Sequence, residues 1–302
     1  MSSVAAGVAV PRHAYRRAVQ RVLWATLVLN VVVAVAKLIV GLRANSLTLI
    51  GDAAHSSVDG VNNVIGLLAV GMAAKEADAD HPYGHSKFET LAAFVLSGLL
   101  FLTCAQIAIE AVQRLLRAPA EPPRATLEAF VVAIATLIVN FGVSSYEGRR
   151  GRALDSDFLI ADAAHTRSDM LVTAAVLCSL VFVRLGVPRV DAAVSLVVAA
   201  FIGRIGYAVF RRTLPVLVDA SAVDEARVQE IVRAVSGVRS AHAIRSRRAG
   251  DMVFIEMHVL VEPRQETEAT HALTEAVETA LARALGPTMA TIHVETQRDC
   301  GW

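Results

Sequence analysis

The sequence predicts an α-helical membrane protein of six transmembrane helices, built as an inverted repeat of three, with a small C-terminal α+β domain. Three observations predict it. Of 302 residues, 55% are hydrophobic and only 19% charged, with mean hydropathy +0.51, whereas a soluble domain is about a quarter charged. Six apolar stretches approach or exceed the roughly 20 residues that cross a bilayer. A polar pattern inside them, "LIGDAAHSSVD" (49–59), returns as "LIADAAHTRSD" (159–169), 110 residues later.

The six stretches lie at about 18–41, 47–74, 88–116, 125–147, 158–185 and 190–210, each bounded by Gly, Pro or charge. Basic residues gather before the first (Arg12, Arg16, Arg17, Arg21), between Lys75 and Lys87, at "RRGR" (149–152) and at Arg211 and Arg212. The other connectors hold fewer, so the positive-inside bias places both termini in the cytoplasm, as an even number of spans requires. The apolar run after Arg21 continues past Lys37 with no small-residue cleavage site, so it reads as a retained span, not a cleaved signal. The expected location is the inner (plasma) membrane.

The texture changes after the sixth span, giving a transmembrane domain over 1–212 and a cytosolic domain over 213–302. "DEARVQEIVRAV" (224–235) has helical period. "AHAIRSRRAGDMVFIEMHVLVE" (241–262) reads as two strands turned at Ala249-Gly250-Asp251. "TEATHALTEAVETALARAL" (267–285) is a helix and "ATIHVET" (290–296) a strand. The order αββαβ predicts a small antiparallel sheet with helices on one face.

Net charge is +1. No basic stripe interleaves with aromatics, which disfavours nucleic acid as a partner. Cys104, Cys178 and Cys300 are far apart, which argues against a disulfide framework or a thiolate zinc site.

The offset of 110 also relates "ATLVLN" (25–30) to "ATLIVN" (135–140). One shift shared by two motifs indicates duplication of a three-span unit. Three spans are an odd number, so the copies enter the membrane from opposite sides, as in many transporters.

His55 and Asp59 are four apart, as are His165 and Asp169, so each pair shares a helix face. Two pairs supply four N/O ligands, a set suited to tetrahedral zinc or a related transition metal. Their alternative role is interhelical hydrogen bonding. Asp52 and Asp162, three residues before each His, either orient the imidazoles or cap the helices. Asn30 and Asn140 are mid-span, as helix–helix hydrogen-bonding groups or as lining of an ion path. Asp78, His81 and His85 fall in "DADHPYGHSKFE" (78–89), where Pro82 and Gly84 break any helix; a loop can still gather them around a metal. In the soluble domain His242, His258, His271, His293 and Glu295 are candidates, with His293 and Glu295 on one face of the last strand.

"GDAAHSSVD", "HPYGHSKFE" and "ADAAHTRSD" together resemble the cation diffusion facilitator family of metal transporters, over about residues 15–300. The resemblance implies six transmembrane helices, a ferredoxin-like cytosolic domain, a homodimer, and export of a divalent metal in exchange for protons. It implies a transport site of His55, Asp59, His165 and Asp169, a loop site of Asp78, His81 and His85, and a cytosolic binuclear site of His242, His258, His271, His293 and Glu295. Lys87 and Asp219 match positions that form charge interlocks near the membrane–cytosol junction in a similar bacterial transporter. Many bacterial zinc members have Asp where this chain has His55 and Glu295; His at the first position resembles zinc- or cobalt-preferring members. The stretch 148–157 has no histidine, unlike the His-rich loop of many eukaryotic zinc members.

The expected activity is therefore a proton-coupled antiporter exporting Zn2+, with Co2+, Cd2+ and Fe2+ as further candidates and zinc also as a regulatory metal. The alternatives are an exporter of Mn2+ or Fe2+ and a non-transporting metal-sensing scaffold. An intramembrane metalloenzyme is disfavoured, because four protein ligands leave no place for an activated water.

Overall fold

The computed structural model describes residues 12–43, 47–116, 127–184 and 189–296, apart from a few side chains that include those of Asp52 and His55. Two compact units result, Arg12–Leu214 and one beginning at Pro215.

The first unit is six long helices: α1 (Arg12–Arg43), α2 (Leu47–Ala73), α3 (Lys87–Leu116), α4 (Leu127–Leu154), α5 (Asp157–Arg184) and α6 (Arg189–Leu217). Apolar runs of 25 to 30 residues in α1, α3, α4 and α6 are long enough to cross a bilayer. In α2 the apolar part is the second half, Asp59–Ala73. Large apolar side chains point outward, among them Leu42, Leu102, Ile138 and Phe141. Such exposure is expected where lipid is the solvent.

Three helix ends differ from the hydropathy reading. α1 begins at Arg12, α4 runs to Leu154 and α6 to Leu217. Apolarity stops at the first charges, but Arg and Glu are good helix formers, so the helices continue past the greasy segment. The "RRGR" read as a connector is thus the end of α4. Only Asp155 and Ser156 join α4 to α5. Asp155 takes a left-handed φ of 52°, the Ser156 N–H donates to Gly151 O at 2.9 Å, and Ser156 Oγ accepts from the Leu159 N–H at 3.3 Å, capping α5.

α1 packs on α2 and α4 on α5, with further contacts of α1 to α4 and of α5 to α3 and α2. The α1–α2 and α4–α5 pairs are the ones the offset of 110 relates. Val19, Leu23, Val70, Leu96, Leu100, Phe158, Leu159 and Ile202 fill the core. One end of the bundle is tied by polar contacts. Tyr15 OH (α1) donates to Glu89 (α3) at 2.9 Å, Ser156 Oγ donates to the same carboxylate at 2.5 Å, and Arg212 (α6) pairs with Asp157 at 2.6 Å.

The second unit is α7 (Glu225–Arg233), β1 (Val238–Ala249), β2 (Met252–Val261), α8 (Thr267–Leu285) and β3 (Thr288–Glu295), an α+β domain of ferredoxin-like type. Asp224 caps α7 by accepting from the Ala226 N–H at 3.0 Å. Gly250 and Asp251 turn β1 into β2, with Gly250 at φ 62°. The strand order is β1-β2-β3. β1 pairs antiparallel with β2, but β2 pairs parallel with β3, so the sheet is mixed rather than antiparallel. The 19-residue α8 is the crossover that a parallel neighbour needs. Val253, Ile255, Met257, Val259 and Val261 of β2 pack beneath Val228 and Val232 of α7 and Leu273, Val277 and Leu281 of α8. The even-numbered residues of β2 therefore lie on the sheet face away from the helices.

Candidate metal sites

Helical periodicity turns Asp59 from α2, and His165 and Asp169 from α5, to one point. His165 Nε2 lies 3.7 Å from Asp59 Oδ1 and 3.7 Å from Asp169 Oδ2. One ligand atom from each lies within 4.8 Å of the others. His165 is 8% exposed, so the cluster sits inside the bundle. His165 Nδ1 is buried without a hydrogen-bond partner among the described residues. Three converging N/O donors at this spacing fit a small divalent cation drawn between them. His55 lies on α2 one turn before Asp59, where a fourth donor would be required; its side chain, like that of Asp52, is outside the described part.

A polar file runs beside this cluster. Asn30 Nδ2 (α1) donates to Asn63 Oδ1 (α2) at 2.8 Å. Asn63 Nδ2 donates to Asp162 Oδ2 (α5) at 2.9 Å and to Thr26 Oγ1 at 3.2 Å. Asp162, 4% exposed, is thus an interior hydrogen-bond acceptor and not a helix cap. Asn140 is half-buried on α4 and, among the described residues, does not join the file. Sequence reasoning missed Asn63, Thr26 and Glu147 of α4, which is 1% exposed. A span ended at 147 makes Glu147 look interfacial, whereas α4 continues two turns beyond it. Lys37 of α1 is also buried and donates to Ser56 Oγ at 2.8 Å.

In the loop before α3, Asp78 Oδ1 accepts from the His81 N–H at 2.7 Å and the Asp80 N–H at 3.1 Å. Gly84, at φ 83°, turns the chain and brings His85 back. His85 Nε2 then lies 3.4 Å from Asp78 Oδ2, and His81 Nδ1 lies 3.5 Å from Asp78 Oδ1. The other nitrogen of His85, Nδ1, meets Glu76 O at 3.0 Å, a contact that leaves Nε2 for a metal. The His81 backbone N–H, first, and then the two imidazoles hold the Asp78 carboxyl below its ordinary value. Asp78 therefore keeps its negative charge at pH values where an ordinary aspartate begins to protonate. Asp78→Asn keeps an acceptor for the turn but removes the charge. It is expected to leave the loop folded and weaken zinc binding there at least about tenfold, read by titrating zinc against the variant and wild type; equal affinity excludes Asp78 as a ligand.

In the second unit, strand register does what spacing could not. His242 of β1 is paired with His258 of β2, and His258 with His293 of β3. All three fall on the face away from the helices. Glu295, two residues past His293, shares that face. His258 Nδ1 meets Glu295 Oε1 at 2.6 Å, His242 Nε2 lies 3.3 Å from Oε2, and His293 Nε2 3.9 Å from Oε1. His271 stands apart. It is on α8, across the sheet from His258, and pairs with Glu275 at 3.3 Å. Asp219, at φ 54°, lies 3.7 Å from Arg247 Nη1 within this unit; Lys87 opens α3 in the other.

The family profile described as the cation efflux transmembrane domain matches residues 23–218, and that described as the cation efflux protein cytoplasmic domain matches residues 220–297. The chain belongs to the cation efflux family. It is thus a membrane transporter of divalent metal cations and not an enzyme. An uncharacterised transporter of Methanocaldococcus jannaschii is 30% identical over 92% of this chain and 99% of its own. The cation-efflux pump FieF of Cronobacter sakazakii is 28% identical over 93% and 94%. The magnetosome protein MamM of Magnetospirillum gryphiswaldense is 28% identical over 92% and 88%. Similarity to cation efflux proteins thus runs through both units.

Proposed function

We propose that this cation efflux protein exports Zn2+ from the cytoplasm in exchange for protons, through a tetrahedral site of His55, Asp59, His165 and Asp169. The convergence of Asp59, His165 and Asp169 across α2 and α5 carries the reading. Two imidazoles and two carboxylates favour a small tetrahedral ion over larger, oxygen-seeking manganese. An imidazole must lose its proton to bind metal, so protons and zinc compete for one site. The bundle end that holds Tyr15, Glu89, Asp157 and Arg212 also carries Arg16, Arg17, Arg149, Arg150, Arg152 and Arg211, which supports a cytoplasmic end there. The matched cytoplasmic domain supports a homodimer.

The deciding experiment is zinc flux into vesicles of the purified protein under an imposed pH gradient, with cobalt, cadmium, iron and manganese as competitors. Zinc uptake driven by the gradient is expected; flux indifferent to it would remove the antiport. His55→Asp should weaken discrimination against cadmium and manganese and move the pH dependence of zinc uptake toward acid, because a carboxylate replaces an imidazole. An unchanged metal ranking and pH profile would exclude His55 as a ligand.

The cytosolic His242, His258, His293 and Glu295 are proposed to bind zinc as a regulatory metal. The second unit has its own core, so the fragment 215–302 is expected to fold alone. At 100 times its Kd, zinc should add about 2.7 kcal/mol, raising the melting temperature by roughly 10 °C or more. Glu295→Ala should erase the increase. A melting temperature indifferent to zinc in the unmutated fragment counts against the site.

A further inference from the structure

Arg167 follows His165 by two residues on α5, yet it is exposed at the surface of the bundle. Its Nε donates to Ser144 Oγ of α4 at 3.0 Å. Ser144 is 2% exposed and donates its own O–H to Ala163 O of α5 at 3.1 Å. This buried hydroxyl anchors the guanidinium across the line where α4 meets α5. The far end of the side chain comes to rest beside Gly148 of α4. A Cβ on Gly148 would stand 2.9 Å from Arg167 Nη2 and 3.5 Å from Arg152 Nη1. Glycine therefore leaves the space in which two guanidinium groups come together.

Two positive charges held this close repel. Among the described residues, neither has a carboxylate at ion-pair distance. Asp155 and Asp157 both pair with Arg212, and Glu147 is 1% exposed inside the bundle. The surface changes character along the same side of α4. Phe141 and Ile134 lie seven and fourteen residues before Gly148, two and four turns along one face, and both are exposed. An unmatched pair of guanidinium groups thus stands at the end of an apolar strip. That end is the one where the basic residues gather.

We infer that Arg152 and Arg167 bind the phosphate of an acidic phospholipid of the cytoplasmic leaflet, whose acyl chain lies along Phe141 and Ile134. Guanidinium forks match phosphate oxygens, and basic pockets between helices on the cytoplasmic side of a membrane hold anionic headgroups. The anion supplies the charge that the arginine pair lacks. Helix direction suits the height. A helical side chain leans toward the N-terminus of its helix, which in α5 is the Asp157 end. Arg167 therefore reaches back toward headgroup level from a Cα about 15 Å along α5. The inference rests on the cytoplasmic placing of this end proposed above, and on neither the metal nor the proton.

The test titrates lipid-stripped, full-length protein in detergent with phosphatidylglycerol and with phosphatidylcholine, and reads bound lipid by native mass spectrometry. Wild type should bind the anionic lipid about tenfold more tightly than the zwitterionic one. Arg152→Gln should weaken phosphatidylglycerol about fivefold while melting, without lipid, as wild type does. Arg150→Gln removes the same charge two residues earlier, on the opposite side of α4, and should change the affinity less than about twofold. Equal affinity of wild type for the two lipids overturns the proposal, whatever the variants do. Equal losses in Arg150→Gln and Arg152→Gln mark a diffuse charge effect and overturn it too. Glycerol 3-phosphate carries the phosphate without the chains and should leave bound lipid in place at equal concentration. Displacement would make this a site for soluble phosphate and remove the lipid. None of these readouts involves zinc flux, so their failure leaves the export reading standing.

Discussion

Asp59→Ala and Asp169→Ala are each expected to abolish zinc transport. His165 Nε2 stands 3.7 Å from a carboxylate oxygen of each, so either truncation removes one of three donors that converge from two helices. Loss of a group that only supports a metal ligand weakens binding by about 10- to 100-fold. Loss of a ligand should exceed the upper figure, and flux should fall below detection at normal membrane expression. Asp169→Asn is the sharper control. It preserves volume and a carbonyl oxygen but removes the charge that offsets the cation, so flux should fall nearly as far as in Asp169→Ala. The measurement is initial zinc uptake by vesicles of matched protein content. Substantial flux in either alanine variant would detach these aspartates from the transport site, and with them the four-ligand reading.

How legible the molecule was depends on which interactions carry each part. The approach of His165 to Asp169 could be read directly, because helical period alone puts residues four apart on one face, and charges inside greasy sequence stand out. α8 was readable from Thr267 to Leu285 for a similar reason. A polar turn precedes Thr267 and Gly286 follows Leu285, so local chemistry brackets the helix. The pairing of β2 with β3 was not readable. Both strands alternate, and alternation does not distinguish a parallel neighbour from an antiparallel one; the long crossover decides it. The row His242, His258, His293 exists only through that register, which is why spacing could not assemble it. Glu147 was hidden differently. Hydropathy ended the fourth span at the same residue, so the acid looked interfacial, whereas α4 runs on to Leu154 and buries it.

Gly66→Ala is expected to damage stability and zinc binding together. Gly66 lies on α2 seven residues after Asp59, two turns along the same face. A Cβ there would stand 2.1 Å from Cε1 of Phe158 and 2.6 Å from its Cζ. Phe158 has little room to step aside, since it is fully buried on α5 within the main core. α2 must therefore move outward or the ring must leave its rotamer, at a cost of about 1–3 kcal/mol. Outward movement has a second effect. Asp59 rides on α2, whereas His165 and Asp169 ride on α5, so the shift opens the 3.7 Å approach of Asp59 to His165. Zinc affinity should fall about tenfold or more, as when groups that position a metal ligand are disturbed. Phe158→Leu removes the ring atoms that the new methyl would strike. The double variant Gly66→Ala, Phe158→Leu should therefore bind zinc more tightly than Gly66→Ala alone and melt above the sum of the two single losses, the sign of direct coupling. The readouts are the melting temperature in detergent and zinc affinity by calorimetry. If Gly66→Ala melts and binds as the wild type does, α2 is not seated on Phe158, and the register that brings Asp59 to His165 needs another support.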